Sequence, residues 1–317
     1  MGFFSSTNAT GLSTSQRTGI LFVILGNILF SAKAIFAKLI YPYGVDATTL
    51  MTLRLGFSFP FFAAVAIWSW RRKPGFRLSF RDWRQLSLFA FLGYYGASFL
   101  NFLGLKTVSA GLERLILFTY PTIVVVLSSL FRKIPITRQQ GLALVLTYGG
   151  IGLVLVPGLR ESTQMGWGAL LILGSSISFA AYLLLVGDTI ARLGSILYTS
   201  LVLMLAGTMT FIHFTLTRSL TDLEWPLEVY LLFLGLSIFS TVIPVFLISE
   251  GIRRLGASNT AIIASVGPVA TIVLAFIFLH EPITLIQLAG TALVLVGVWQ
   301  VSHRPDRPVG DTPVRVR

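Results

Sequence analysis

Several residue types that commonly support catalysis or metal binding are scarce or absent in this sequence. Its 317 residues contain no cysteine, which excludes a disulfide framework and a cysteine-based metal site. Only three histidines occur, His213, His280 and His303, and no metalloprotease, nucleophile-elbow or phosphate-loop motif is present. The sequence therefore favours a protein that is not an enzyme and predicts neither a metal ion nor another cofactor.

Charged residues are also few. They make up 11% of the chain, against about 25% in a typical soluble domain, whereas 55% of the residues are hydrophobic. The mean hydropathy is +0.83. So little polar surface indicates a protein that lies in a lipid bilayer. The net charge of +12 alone would suit a nucleic-acid binder, but the positions of the charges, described below, favour membrane topology as its cause.

Ten apolar runs have the length of about 20 residues that a helix needs to cross a bilayer. The sequence therefore predicts an all-α integral membrane protein with ten transmembrane helices. Residues 1–16 are rich in Ser, Thr and Asn and are predicted to be a disordered N-terminus, and residues 304–317 form a basic tail. The predicted helices are 18–41, 47–70, 84–104, 109–131, 138–157, 166–187, 194–217, 226–249, 256–279 and 284–302.

The chain contains an internal repeat. Gly104–Gly150 aligns with Gly251–Gly297 without a gap, at a constant offset of 147 residues. Such an internal repeat indicates two copies of one structural unit. The copies are residues 17–157 and 166–303, joined by a linker at 158–165. Matched pairs include Gly104 with Gly251, Pro121 with Pro268, Phe131 with Phe278, Pro135 with Pro282, Gln140 with Gln287 and Gly150 with Gly297.

The Lys and Arg residues of the loops predict the orientation. With the N-terminus inside, seventeen of them lie on the cytoplasmic side and only three, Lys106, Arg160 and Arg218, lie outside. The positive-inside rule therefore places both termini in the cytoplasm. Five helices per copy is an odd number, so the second copy enters the membrane upside down. Two inverted repeats are typical of transporters that work by alternating access, with a binding site near the midplane.

The duplicated motifs resemble those of a known family. They are Ala110–Arg114 followed by Tyr120-Pro121, Leu255–Asn259 followed by Gly267-Pro268, and the turn His280–Thr284. The chain is similar to the EamA-type transporters of the drug/metabolite transporter superfamily, in which Lys38 and Arg54 also have counterparts. Ile134 differs from the pattern, because an acidic residue usually stands there. The resemblance implies export of small metabolites such as amino acids, often coupled to protons.

Ionisable residues inside the membrane are costly and are usually functional. Lys33 and Arg54 lie about 12 Å inside their helices, at 1.5 Å per residue. We expect them to line a cavity or to form a buried ion pair, and Glu113 to pair with one of them. Cations outnumber carboxylates there, so the cavity should favour an anionic group. Lys38 and Arg114 lie nearer the helix ends, where an interfacial anchor is the simpler interpretation.

Polar side chains and prolines complete the predicted site. Tyr94, Ser98 and Asn101 recur at i, i+4 and i+7, which places them on one face of the third helix. Tyr182 corresponds to Lys33 when the two copies are superposed. Both groups are candidates to bind substrate, although contacts between helices explain such residues equally well. Pro121, Pro244 and Pro268 are predicted kinks or hinges.

The sequence thus predicts a secondary transporter in a bacterial-type inner membrane. Its partners would be the lipid bilayer and a small-molecule substrate that carries a carboxylate, with protons as a coupling ion. The resemblance implies that this substrate is an exported amino acid or a related compound. Uptake, facilitated diffusion of other solutes and a membrane-embedded enzyme remain the alternatives. The residues do not specify the substrate or the oligomeric state.

Overall fold

The chain folds into a bundle of α-helices. A computed structural model describes residues 14–72, 77–133, 135–219 and 223–302, and no strand occurs among them. The predicted tail at 304–317 and most of the predicted disordered N-terminus lie outside these residues. The helices, in order, are α1 (Thr14–Ile40), α2 (Ala47–Arg71), α3 (Phe80–Phe89), α4 (Ala97–Leu105), α5 (Ala110–Leu117), α6 (Tyr120–Arg132), α7 (Arg138–Glu161), α8 (Thr163–Leu193), α9 (Ser195–Thr217), α10 (Leu227–Ser237), α11 (Ile243–Leu255), α12 (Ala257–Ile263), α13 (Val266–Leu279) and α14 (Leu285–Ser302).

Fourteen helices make ten membrane crossings because some crossings contain two helices. A π-helical segment at Ala90–Gly96 joins α3 to α4, and another at Ile238–Val242 joins α10 to α11. Eight crossings are long and apolar enough to span a membrane by themselves, and α13 and α14 are shorter apolar helices. The prediction of an all-α, ten-helix membrane protein is confirmed.

Several predicted boundaries are wrong, including the ends of the sixth and eighth crossings, which lie at Leu193 and Leu255 instead of 187 and 249. The helix α1 already begins at Thr14, so the last three residues of the predicted disordered segment are helical. The predicted linker at 158–165 does not exist as a loop, because α7 continues to Glu161 and α8 begins at Thr163. The third crossing starts at Phe80 instead of 84, since Ser79 and Asp82 form a capping box that fixes the helix start there.

The helix order of the first copy recurs in the second. The π segments begin 148 residues apart, at Ala90 and Ile238, and α7 and α14 begin 147 residues apart. The packing recurs as well: α1 packs against α11 and α13, while its counterpart α8 packs against α4 and α6. The contacts α2–α9 and α7–α14 join counterparts directly. The two copies are therefore intertwined, and most of the core lies between them.

Glycines permit the closest of these crossings. A Cβ added at Gly150 would lie 2.6 Å from the carbonyl oxygen of Gly290, and one at Gly297 would lie 2.7 Å from that of Ala143. These two contacts are counterparts across α7 and α14. Gly149, by contrast, has nothing within 4 Å of an added Cβ. Gly150, Gly290 and Gly297 therefore serve close packing between α7 and α14.

This difference gives a matched pair of substitutions. We expect Gly150→Ala to destabilise the protein by about 1–3 kcal/mol, because the added methyl group must push two backbones apart. Gly149→Ala should be neutral or slightly stabilising, since alanine is the better helix former by about 1 kcal/mol. Thermal unfolding in one detergent measures both. Equal melting temperatures for the two variants would contradict this account of the crossing.

Ion pairs join the two copies near both ends of the bundle. Asp46 caps α2 through Thr48 and Thr49 and lies 3.2 Å from the Nε atom of Arg218. Burial raises the pKa of Asp46, but hydrogen bonds from Thr49 and the charge of Arg218 outweigh it, so the net pKa is lowered. Arg192 pairs with Asp82 at the start of α3. Each pair is partly exposed, so each adds little to the free energy of unfolding.

Candidate functional site

A buried cluster of ionisable side chains lies between the two copies. Its centre is Lys33 on α1, whose Nζ atom donates to Asn101 Oδ1 at 2.8 Å and lies 3.5 Å from Glu113 Oε1. The amide of Asn101 donates to the same carboxylate oxygen at 2.6 Å. Lys33 is 7% exposed and the other two side chains are 1% exposed. Of the two partners predicted for Glu113, the structure thus selects Lys33.

Local sequence explains how Glu113 reaches this position. Ser109 caps α5 by accepting a hydrogen bond from the backbone N–H of Leu112 at 3.2 Å. Glu113 therefore lies in the first turn of α5, where the helix dipole favours a negative charge. The helix is short, with its last residue at Leu117, so this turn faces α1 and α4 inside the bundle. A carboxylate at this depth is stabilised by both the dipole and the Lys33 ammonium.

Arg54 on α2 forms one side of the cluster. Its Nε atom donates to Thr241 Oγ1 at 2.9 Å, on the π-helical segment of the second copy. Its backbone carbonyl accepts hydrogen bonds from Ser58 and Ser237, each at 2.8 Å. The guanidinium carbon lies 5.5 Å from the centre of the Phe102 ring. A hydroxyl and an aromatic face therefore hold this cation, and no carboxylate among the described residues pairs with it.

Arg114 forms the other side, and its interpretation as an interfacial anchor is wrong. The residue is 7% exposed, and its guanidinium carbon lies 5.3 Å from the centre of the Phe30 ring. It occupies the space left by the missing side chain of Gly267, where an added Cβ would lie 2.4 Å from Nη2. Depth counted along one continuous helix underestimates the burial of Arg114, because the crossing is divided into α5 and α6. Nε of Arg114 is buried and has no hydrogen-bond partner among the residues that the structure describes.

The two crossings that contain the duplicated motif, the fourth and the ninth, are each broken next to this cluster. The break between α5 and α6 lies at Phe118 and Thr119, before Pro121, and that between α12 and α13 lies at Ala264 and Ser265, before Pro268. Carbonyls beside the breaks also accept hydrogen bonds from other helices: Ser176 donates to Ile116 O at 3.1 Å, and Ser31 donates to Gly267 O at 3.0 Å. Discontinuous helices of this kind line the binding sites of many transporters.

The third predicted proline has a different setting. Pro244 is buried at the start of α11 and directly follows the π segment Ile238–Val242. The counterpart π segment Ala90–Gly96 is followed by Ala97, so proline is not required for this distortion. Whether any of the three prolines acts as a hinge remains a prediction.

The predicted polar stripe of the third crossing is split. Asn101 reaches Lys33 and Glu113, but Tyr94 packs against Tyr182 with ring centres 5.6 Å apart. The π segment that ends at Gly96 changes the rotation per residue, so the i, i+4, i+7 spacing no longer marks one face. Ser98 is half-buried and, among the described residues, makes no hydrogen bond to the charged cluster.

Tyr182 belongs to an aromatic group beside the cluster. Its ring centre lies 5.5 Å from that of Phe179, which lies 5.3 Å from that of Tyr120. Gly93 leaves room for the Tyr182 ring, since an added Cβ would lie 2.8 Å from it. The correspondence between Tyr182 and Lys33 thus places two different chemistries at equivalent positions of the two copies.

Glu281 has a role that sequence reasoning missed. It lies in the turn His280–Thr284, to which the resemblance assigned no contact. The helix α14 begins after this turn, at Leu285, and Glu281 is half-buried. Its Oε1 atom accepts a hydrogen bond from the backbone N–H of Ala110 at 3.0 Å. A residue of the second copy therefore caps α5, the helix that carries Glu113 and Arg114.

Removing this cap should loosen the contact between the copies. We expect Glu281→Ala to lower the free energy of unfolding by about 0.5–2 kcal/mol, the usual effect of losing a helix cap. Glu281→Gln should lower it less, because the amide oxygen still accepts the hydrogen bond. Thermal unfolding of the purified variants measures the difference. A Glu281→Ala protein as stable as the parent would show that the hydrogen bond contributes nothing.

The fold and the buried charges define the class of this molecule: a multi-pass membrane transporter. Comparison with known proteins identifies the family. The EamA-like transporter family matches residues 17–156 and again residues 166–302, so the chain belongs to that family. The two matches cover the two copies described above.

Individual relatives agree with this family. The chain is 28% identical to the uncharacterized transporter YcbK of Bacillus subtilis, over 90% of this chain and 93% of the relative. It is 30% identical to the uncharacterized transporter YvbV of the same species, over 67% and 68%. A solved crystal structure that covers 90% of this chain and 97% of its own has a TM-score of 0.61 at 16% identity. That likeness concerns the fold alone.

Proposed function

We propose that the protein is a secondary transporter that exports small metabolites bearing a carboxylate, such as amino acids, across the cytoplasmic membrane. The observation that carries this proposal is the buried cluster of Lys33, Arg54 and Arg114 with the single carboxylate of Glu113, at the breaks of two helices and between the two copies. A buried cation with no carboxylate partner is costly. A substrate carboxylate would remove that cost where it binds.

Alternating access is the mechanism that the architecture favours. The contacts of α1 with α11 and α13 recur as those of α8 with α4 and α6. If the copies are inverted, as the odd number of helices per copy predicts, one set of contacts closes one side of the membrane and the other set closes the opposite side. The cluster, buried in this structure, would then open to each side in turn.

The predicted orientation can be tested because the chain contains no cysteine. A single cysteine in place of Lys106 should react with a membrane-impermeant maleimide in intact cells. A single cysteine in place of Arg77 should react only after the cells are broken. The reverse labelling pattern would show that the protein lies in the membrane in the opposite orientation.

Glu113 is the proposed site of proton coupling. A proton on this carboxylate would cancel the charge that neutralises Lys33 and would leave the ammonium 3.5 Å away free for a substrate anion. A proton and a substrate would thus exchange at one position. Flux measured with and without a pH gradient tests this step, and a gradient without effect would exclude a proton role for Glu113.

The central experiment is counterflow in proteoliposomes. Proteoliposomes that contain the purified protein are loaded with an unlabelled carboxylate. The uptake of radiolabelled amino acids and related metabolites is then followed. Saturable counterflow of a carboxylate-bearing class supports the proposal. Counterflow confined to cationic or uncharged solutes would overturn the carboxylate specificity. Net flux that follows the substrate gradient and is independent of any ion gradient would favour facilitated diffusion instead.

A further inference from the structure

The three cations of the cluster lie against two phenyl rings. Lys33 Nζ lies 5.7 Å from the centre of the Phe30 ring and 5.4 Å from that of the Phe102 ring. Arg114 lies over the same Phe30 ring, at 5.3 Å, and Arg54 over the same Phe102 ring, at 5.5 Å. Each guanidinium therefore shares one ring with the central ammonium. The two arginines approach Lys33 by way of different rings.

The carboxylate of the cluster neutralises only the central cation, Lys33. Glu113 and the carbonyl of Asn101 both contact the Lys33 ammonium. Neither arginine forms an ion pair within the described part of the chain. Arg54 bonds to a hydroxyl, and the Nε atom of Arg114 is buried without any partner. Aromatic faces attract cations only weakly, which does not replace a counter-charge for a desolvated guanidinium.

Two separate positions for an anionic group follow from this arrangement. A guanidinium presents a planar fork of N–H donors that matches a carboxylate. A single carboxylate can serve one arginine directly and leaves the other unpaired. We infer that the preferred substrate carries two carboxylates, one toward Arg54 and one toward Arg114. This inference rests on the proposed function and narrows its substrate class to small dicarboxylic compounds, including acidic amino acids.

Matched pairs of solutes test the inference, because an amide replaces one carboxylate with almost no change of shape. Glutarate is compared with glutaramate, and glutamate with glutamine, as inhibitors of counterflow at pH 7, where both carboxylates are ionised. We expect the diacid of each pair to inhibit at a concentration that is lower by a factor of about ten or more, as one added charge-assisted hydrogen bond implies. Equal inhibition within both pairs would overturn the inference.

The variant Arg114→Gln locates the second position. It should reduce the advantage of glutarate over glutaramate to nearly onefold, while Arg72→Gln, at the exposed end of α2, should leave the advantage unchanged. Ligand-induced thermal shifts of the purified variants give the same comparison if Arg114→Gln transports too slowly to measure. A diacid advantage that survives in Arg114→Gln would overturn the assignment.

These outcomes separate the inference from the proposed function. Counterflow of monocarboxylates without a diacid advantage leaves a carboxylate transporter and removes the dicarboxylate specificity. A diacid-specific thermal shift that depends on Arg114, with no flux of any carboxylate, would support the two-carboxylate site and overturn the transport proposal.

Discussion

Arg54→Gln is expected to raise the KM of the transported carboxylate by roughly 10- to 100-fold, with the protein still present in the membrane. The expected size is the loss of a charge-assisted hydrogen bond, about 1.5–3 kcal/mol. Glutamine can still donate to Thr241, which Arg54 contacts at 2.9 Å, so the π-helical segment keeps a partner. What disappears is the positive charge on this side of the cluster. Concentration-dependent counterflow in proteoliposomes measures the change.

The control for this prediction is Arg72→Gln, which makes the same replacement on the same polypeptide segment. Arg72 is exposed and lies over the Trp68 ring, 3.8 Å from its centre. Its loss should leave KM within about twofold, since exposed surface changes have small effects. A normal KM in Arg54→Gln would remove Arg54 from the binding site and would weaken the argument from the cationic cluster.

Glu113→Gln is expected to cause the largest loss of stability among the variants considered. The amide still accepts the hydrogen bond from Asn101, but the Lys33 ammonium loses its only carboxylate within 4 Å among the described residues. Breaking a buried ion pair by removing one partner costs roughly 3–5 kcal/mol. Adding Lys33→Met should restore most of the stability, because the pair is then replaced by uncharged groups. Thermal unfolding of the two single variants and the double variant measures the coupling.

The double variant also separates stability from function. We expect it to fold and to reach the membrane, yet to transport with less than about a tenth of the parent rate, because both central charges are gone. Glu228→Gln is the control for the carboxylate, since Glu228 accepts an exposed hydrogen bond from Tyr43 at 3.0 Å. If the single and double variants were equally unstable, Lys33 and Glu113 would not be energetically coupled.

Much of the fold was predictable because apolar composition and repeated spacing determine it. Crossings were found from apolar length, and the duplication was found from the constant spacing of residues such as Pro121 and Pro268. The pairing of Glu113 with Lys33 or Arg54 followed from counting charges inside apolar runs. These signals depend only on the bilayer, which requires every long apolar helix to be buried in lipid or protein.

The remaining features depend on local backbone geometry that a hydropathy pattern does not contain. The breaks before Pro121 and Pro268 bring Arg114 inward, which a straight helix could not do. The π segment at Ala90–Gly96 separates Tyr94 from Asn101. The cap from Glu281 to Ala110 joins residues 171 positions apart, so no local sequence pattern could predict it. A small clue was Gly267, whose missing side chain leaves space for a neighbour.

The cap from Glu281 makes the two halves of the duplicated molecule unequal in energy. It holds α5, whereas the described residues provide no hydrogen bond from a capping side chain at the start of the counterpart α12. A difference of about 1 kcal/mol between two closed arrangements corresponds to a population ratio of roughly fivefold. If the orientation is the proposed one, this bias would favour the arrangement that is closed toward the exterior when no substrate is bound. That arrangement would receive its substrate from the cytoplasm, as the proposed export requires.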